Sequence, residues 1–337
     1  MDGPIFLALL QDGLTTGAIY VLLAIGLLIA FGVTRVIYIP QGDLVSLSAL
    51  SLATLIGHHV PATLWLLDAL CAVALVLSWR RPGFAAVLGY LVAPGLLTLA
   101  CWWAVRASAP APVQMLLTIG IITGLGPLLY RFAYETLAEA SMLALLIVSM
   151  ALHFVLVGAA LAAFGAEEYA TPALTDASFD LGAVQVSGQS LCVAAVCAVM
   201  AAGLRWFFAR SLYGRALRAA ASDRLGARLM GIDHALSGRA AFALAHATAA
   251  VGGILVGAIT PLSFDTGFEI GLKGFVAAVM GGLASYPLAA AGGLLVGVLE
   301  SFSGFWASEY RNVIVFALLI PVLLLLSRAG GAAEDRA

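Results

Sequence analysis

Long apolar runs follow one another along almost the whole chain, at about 12–32, 40–57, 62–79, 84–105, 112–130, 141–164, 188–209, 239–260, 271–283, 286–303 and 310–327. About 20 apolar residues are needed for a helix to cross a bilayer core. Only 10% of the residues are charged and 63% are hydrophobic, where a soluble domain carries about 25% charge. The expected fold class is therefore all-α: a polytopic transmembrane helical bundle, one domain over residues 1–337. The run at 271–283 is too short to span. A half-helix or re-entrant segment is expected there, which a bilayer tolerates only where protein or a water-filled cavity covers the backbone.

Arginine placement orients the bundle. Arg35, the Arg80-Arg81 pair, Arg131 and the 205–239 stretch fall on alternate loops, and hence on one side. The positive-inside rule makes that side cytoplasmic. The opposite loop at 165–187 holds Glu167, Glu168, Asp176 and Asp180 and no basic residue. Arg328 and Arg336 favour a cytoplasmic C-terminus. Trp79 and Trp206 at cytoplasmic ends, and Trp102-Trp103 at an outer end, suit interfacial anchors. The glycine pairs Gly13/Gly17, Gly120/Gly124, Gly253/Gly257 and Gly293/Gly297 are spaced for close helix contact. The N-terminus lacks a positive stretch before its apolar run, so no cleaved signal peptide is expected. Cys71, Cys101, Cys192 and Cys197 sit in apolar segments and read as buried free thiols.

Seven of the sixteen basic residues lie between 205 and 239. Within that interruption, residues 219–232 read as a short helix with its own start and stop. Ser222 is placed to cap the first amides and Asp223 to meet the positive helix end. Gly231 is placed to end it in the left-handed conformation. Leu225, Leu229 and Ile232 share one apolar side at i, i+4 and i+7, with Arg224 and Arg228 adjacent. A capped amphipathic helix in a loop between spans needs a soluble surface to dock on, so residues 211–234 are read as a cytoplasmic coupling loop.

Two breaks interrupt the spans. Pro40 and Gly42 break the start of the second run and leave Gln41 and Asp43 near its restart. Asp43 reads either as a helix-start acid at the interface or as part of a polar solute path. The second break is Gly281-Gly282 followed by Pro287. Glu269 and Lys273, at i, i+4, form either a structural ion pair or a substrate contact. Asp68, His153, His246 and Glu300 are ionisable residues inside spans, where charge is costly. The two histidines read as neutral and hydrogen-bonded to neighbouring helices. Asp68 reads as lying near an outer end, and Glu300 as a solvated residue near a helix end.

Several function classes drop out. A net charge of −2 gives no basic balance for nucleic acid. Lys273 is the single lysine and is not followed by Ser or Thr, so no P-loop exists; any ATP must be bound by another polypeptide. No metalloprotease, nucleophile-elbow or metal-ligand cluster occurs. Neither enzyme activity, metal nor cofactor is expected.

Four stretches resemble the LivH-type permease subunits of bacterial branched-chain amino-acid ABC importers. They are Asp12–Tyr20 continuing to Phe31-Gly32-Val33; Arg131-Phe132-Ala133-Tyr134; Gly214-Arg215-Ala216 through Asp223 to Leu229-Met230-Gly231-Ile232; and Gly271–Gly282 with Gly292–Gly297, Glu300 and Glu309-Tyr310-Arg311. The likeness covers residues 5–57 and 112–328, leaving 62–106 as an extra helical hairpin. It implies a multi-pass permease in the bacterial inner membrane. A second permease subunit, homologous or identical, two ATP-binding subunits inside and a substrate-binding protein outside would complete the assembly.

In that picture Arg218, Ser222, Asp223, Leu225, Leu229, Met230, Gly231 and Ile232 contact the ATPases. Gln41, Gly42, Asp43, Gly281 and Gly282 line the translocation path. The chain departs from the family pattern at Tyr38-Ile39-Pro40-Gln41-Gly42-Asp43, where only the glycine and the acid remain, and at Glu135-Thr136 in place of Arg-Pro. Import of urea, amides or aromatic acids is an alternative within the same architecture. A secondary transporter or channel is the alternative outside it.

Overall fold

A computed structural model describes residues 3–78, 88–175, 177–181, 184–317 and 320–322. Trp79, Arg80, Arg81, Pro82, Gly83, Asp176, Arg328 and Arg336 lie outside the described residues. The first half of the chain forms α1 (Gly3–Thr34), α2 (Gln41–Ile56), α3 (Ala62–Leu77), α4 (Ala93–Arg106, entered through a π turn at Leu88–Val92), α5 (Ala111–Leu129) and α6 (Met142–Phe164). The second forms α7 (Gly188–Arg210), α8 (Leu212–Ser222), α9 (Arg224–Leu229), α10 (His234–Gly257), α11 (Thr266–Met280), α12 (Tyr286–Trp306) and α13 (Arg311–Ala317).

Seven described helical stretches are long and apolar enough to cross a membrane, as expected of a multi-pass membrane protein. The all-α bundle carries one small feature outside its helices. The loop between α6 and α7 carries an antiparallel hairpin, β1 (Ser178–Leu181) with β2 (Val184–Ser187), in which Ser178 faces Ser187. Its strands are too short for a two-residue periodicity to stand out.

The arginine loops gather at one end of the bundle. An Arg224 nitrogen donates to the Val33 carbonyl at 3.2 Å, and Arg131 donates to Ser78 Oγ at 2.9 Å. Arg239 makes a two-pronged pair with Glu135, both contacts at 2.7 Å. At the other end the Thr171 amide donates to the Gly257 carbonyl at 3.0 Å, and Tyr169 bridges to Leu262. Among the described arginines, only Arg106 and Arg311 sit at this second end.

The bundle is organised around α1, which is buried from Ile19 through Ala30 almost without interruption. It reaches α12 through glycine. A Cβ added at Gly297 would sit 2.4 Å from the Gly13 carbonyl oxygen and the same distance from the Gly17 Cα. In lipid, where hydrophobicity gives no drive for helix association, such backbone contact supplies the packing. Gly297→Leu is expected to separate α1 from α12, costing about 3 kcal/mol or more for a core too tight to relax. Gly203→Leu, at a position with nothing within 4 Å, is the matched control. Folded yield from membranes, compared by size-exclusion in detergent, checks the pair.

The two short helices lie inside this frame. After Thr34 the chain does not leave the bundle but turns back, through Arg35 at φ 61°. Gln41 comes to lie opposite Gly26, whose added Cβ would meet the Gln41 Nε2 at 2.6 Å. Gly26 is eight residues short of the end of α1, so α2 starts about 12 Å inside it at 1.5 Å per residue. α11, 15 residues long, packs on α2 where Gly267 and Gly271 meet Gly42. A Cβ at Gly271 would be 2.5 Å from the Gly42 Cα. The two interrupted helices thus touch backbone to backbone.

Candidate coupling and translocation sites

The loop between α7 and α10 holds two helices rather than one. Ser211 starts α8, its Oγ accepting from the Gly214 amide at 2.8 Å. The helix then runs through the alanines to Ser222, whose hydroxyl donates back to the Arg218 carbonyl at 3.0 Å. Ser222 therefore does not cap the second helix, as the sequence suggested. Asp223 does: its backbone is extended at φ −146°, and its carboxylate accepts from the Leu225 amide at 2.9 Å. The alanine-rich run ahead of Ser222 favours continuing the first helix, which moves the start one residue on.

The C-terminal end of α9 matches expectation. Gly231 has φ 82°, its amide donates to the Arg228 carbonyl, and the Ile232 amide donates to the Ala227 carbonyl. That pair of bonds is a Schellman ending.

The side chains of α9 divide cleanly. Ala227 is buried, and Arg224 is half-buried against the end of α1. Burial, then the neighbouring Arg35 guanidinium, lowers the Arg224 pKa from its ordinary value. Leu225, Leu229 and Met230 are 69%, 81% and 83% exposed. Arg218, Ser222, Asp223 and Gly231 are exposed, and Ile232 half-buried. Leu212 and Tyr213 at the start of α8 are exposed as well. Asp223→Ala is expected to destabilise α9 by about 1 kcal/mol, and Gly231→Val by about 1–2 kcal/mol through left-handed strain. Faster amide exchange over 224–232, with the spans unchanged, is the measurement.

Gln41, Gly42 and Asp43 are buried in the single chain rather than open to it. Gln41 Nε2 donates to the Ala245 carbonyl at 3.0 Å and to Thr248 at 3.3 Å, while its Oε1 finds no donor among the described residues. Asp43 is not an interfacial acid. His153 Nδ1 lies 2.8 and 2.9 Å from its two carboxylate oxygens, and the imidazole stacks on Phe268 with centroids 4.4 Å apart. One histidine of α6 thereby holds both interrupted helices. His246 donates from Nδ1 to its own Phe242 carbonyl at 2.8 Å, leaving Nε2 to accept from Tyr38 at 3.2 Å. Asp68 accepts from Thr98 at 2.9 Å, joining α3 to α4.

At the second break Gly281 is buried against Ser285 and Ala289, whereas Gly282, at φ 61°, is exposed. Leu283 and Phe275 meet Val36, Ile37 and Tyr38 around Leu27 and Phe31, so the two breaks share one contact on α1. The hollow between them, about 10 Å³, is too small for a solute.

The expected Lys273–Glu269 pair forms at 2.8 Å, but it is part of something larger. Lys273 Nζ also donates to Glu300 at 2.6 Å, and Glu300 accepts from Tyr20 at 2.5 Å. Glu300 is therefore buried in a network and not solvated at a helix end. Tyr20, Tyr38 and Arg311 were missed as partners. The Tyr20–Glu300 and Tyr38–His246 pairings join residues far apart in sequence, and Arg311 reaches back to Glu300 around the end of α12, so no helical spacing rule reports them.

No group of three His, Cys, Asp or Glu able to hold a metal occurs among the described residues. The four cysteines are free. No solved structure matches the chain. Curated relatives do. It is 30% identical over 329 residues to the high-affinity branched-chain amino acid transport system permease protein BraD of Pseudomonas aeruginosa, covering 95% of this chain and 93% of BraD. It is 29% identical to the permease LivH of Salmonella typhimurium and 28% to LivH of Escherichia coli K12, each over 332 residues, 95% of this chain and 94% of LivH. The family profile described as "Branched-chain amino acid transport system / permease component" matches residues 9–323. This multi-pass membrane chain therefore belongs to the branched-chain amino acid transport system permease family.

Proposed function

We propose that the chain is the membrane-spanning subunit of an ATP-driven importer for branched-chain or related amino acids. In this reading separate ATPase subunits work it from the cytoplasm of a bacterial inner membrane, a second permease subunit pairs with it, and a substrate-binding protein feeds it from outside. The observation that carries the reading is the lever at α8–α9. It exposes five large apolar side chains, Leu212, Tyr213, Leu225, Leu229 and Met230, among arginines that exclude it from the hydrocarbon. Large apolar side chains left exposed beside charged residues mark a surface that a partner protein covers.

The lever is also connected to the path. Arg224 ties α9 to the Val33 carbonyl, two residues before the backbone turns at Arg35 into the first break. A movement imposed on α9 by an ATPase is transmitted to the end of α1, and from there to residues 36–40 and the start of α2. The Gly42 contact hands it to α11. Rigid-body movement of one group of helices against another around a fixed site is the usual basis of alternating access.

Reconstitution tests this. Uptake should require added ATPase subunits and ATP, and the chain alone should neither hydrolyse ATP nor move solute. Uptake by the chain alone under an imposed proton or sodium gradient would instead establish a secondary transporter.

A further inference from the structure

The outer halves of α1, α11 and α12 enclose a cleft of about 520 Å³, inside the range of about 300–1,000 Å³ typical of small-molecule sites. It opens at the end of the bundle opposite the lever, and its floor is the charged network. Lys273 is 3% exposed and committed to two carboxylates, and Glu300, 11% exposed, is committed to Tyr20 and Lys273. The other two charges are open. Glu269 is 42% exposed and engages Lys273 through Oε1. Arg311 is 48% exposed, with its Nε 3.7 Å from Glu300.

A purely structural ion network closes its charges to water; here a carboxylate and a guanidinium are left facing one cavity. Arg311 also stands against the orientation rule that keeps arginine on the cytoplasmic side. The formal charges of Glu269, Lys273, Glu300 and Arg311 cancel, and the exposed Asp12 adds one more acid to the lining; a ligand carrying both signs adds partners without adding net charge to this half-buried site.

We propose that this cleft is a binding site for a zwitterionic solute, with the ammonium group on Glu269 and the carboxylate on the Arg311 guanidinium. The two-pronged geometry of guanidinium with carboxylate fixes the orientation, leaving the solute's side chain toward Ile19, Ile259 and Phe305 on the apolar part of the wall. Occupancy bears on α11, whose opposite face carries Gly267 and Gly271 against Gly42. The site rests on the importer reading for its role in transport, but its ligand chemistry follows from the cleft alone.

The test uses the full chain in lipid nanodiscs with Thr260→Cys, an exposed residue of the cleft, and a membrane-impermeant maleimide read out at that position by mass spectrometry. Leucine is the probe. Isopentylamine, which lacks the carboxylate, and 4-methylpentanoate, which lacks the ammonium, are its matched controls. Saturating leucine is expected to slow labelling about fivefold or more, with neither control doing so. Glu269→Gln or Arg311→Gln should each abolish protection.

Thr16→Cys, a half-buried residue of the cleft outside the proposed contacts, serves as a second reporter should Thr260→Cys fold poorly. Absence of protection at both reporters, equal protection by a single-charge analogue, or protection that survives both substitutions overturns the proposal. ATP-dependent uptake by the assembled system is measured alongside. Uptake without leucine protection removes the cleft and leaves the importer; protection without ATP dependence removes the importer and leaves the cleft.

Discussion

Lys273→Met is expected to destabilise the folded chain by about 3–5 kcal/mol, the typical penalty for removing one partner of a buried ion pair. The ammonium sits at 2.8 Å from Glu269 and 2.6 Å from Glu300. Glu269 can turn to water, but Glu300 cannot: without Lys273 it keeps only the Tyr20 hydroxyl and an Arg311 contact at 3.7 Å. The loss therefore falls on one desolvated carboxylate, and a second substitution should recover it. Lys273→Met with Glu300→Gln is expected to regain most of the stability, because a buried pair replaced as a whole by neutral groups is often neutral in effect. Thermal unfolding of the purified chain, single against double, decides. Equal melting of Lys273→Met and the unsubstituted protein would mean that the network is hydrated.

The other large effect is on coupling rather than folding. Leu229→Asp combined with Met230→Asp removes the two most exposed apolar side chains at the C-terminal end of α9 and touches nothing in the chain's own core. Stability should stay within about 0.5 kcal/mol, as for other open surface positions. Docking should suffer far more. Apolar anchors at the centre of an interface are worth about 2 kcal/mol or more each, so uptake at limiting ATPase is expected to fall by about tenfold or beyond. Co-purification of the ATPase subunits with the variant measures the contact directly. Intact co-purification and intact uptake would show that the ATPases dock elsewhere.

The sequence and structure agree where a local rule applies and part where it does not. Span positions were legible because a bilayer demands a fixed length of apolar helix. The short ninth run is α11. Gly231 was legible because glycine adopts φ 82° without strain. Ser222 misled because serine and aspartate both cap helices, and only the continuation of α8 from Ser211 separates them. The Glu269–Lys273 pair was visible as an i, i+4 spacing, but its extension to Glu300 and Tyr20 was not.

The Asp43–His153 contact, which joins α2 to α6, was also hidden. So was the return of the chain after Thr34, which places Gln41 opposite Gly26. These are tertiary facts, set by which helices meet. Glu135 stood out only as a departure from the family pattern. Its two-pronged pair with Arg239 gives that departure a partner, and the pair pins the end of α5 to the start of α10.

The claim on which the account rests is that residues 224–231 are offered to a partner on the cytoplasmic side. Met230→Cys reacts with a membrane-impermeant thiol reagent in inside-out vesicles, remains unlabelled in right-side-out vesicles, and becomes shielded when the ATPase subunits are added back. That is the expected result. Labelling from the outer face, or labelling that the ATPases leave unchanged, would contradict it.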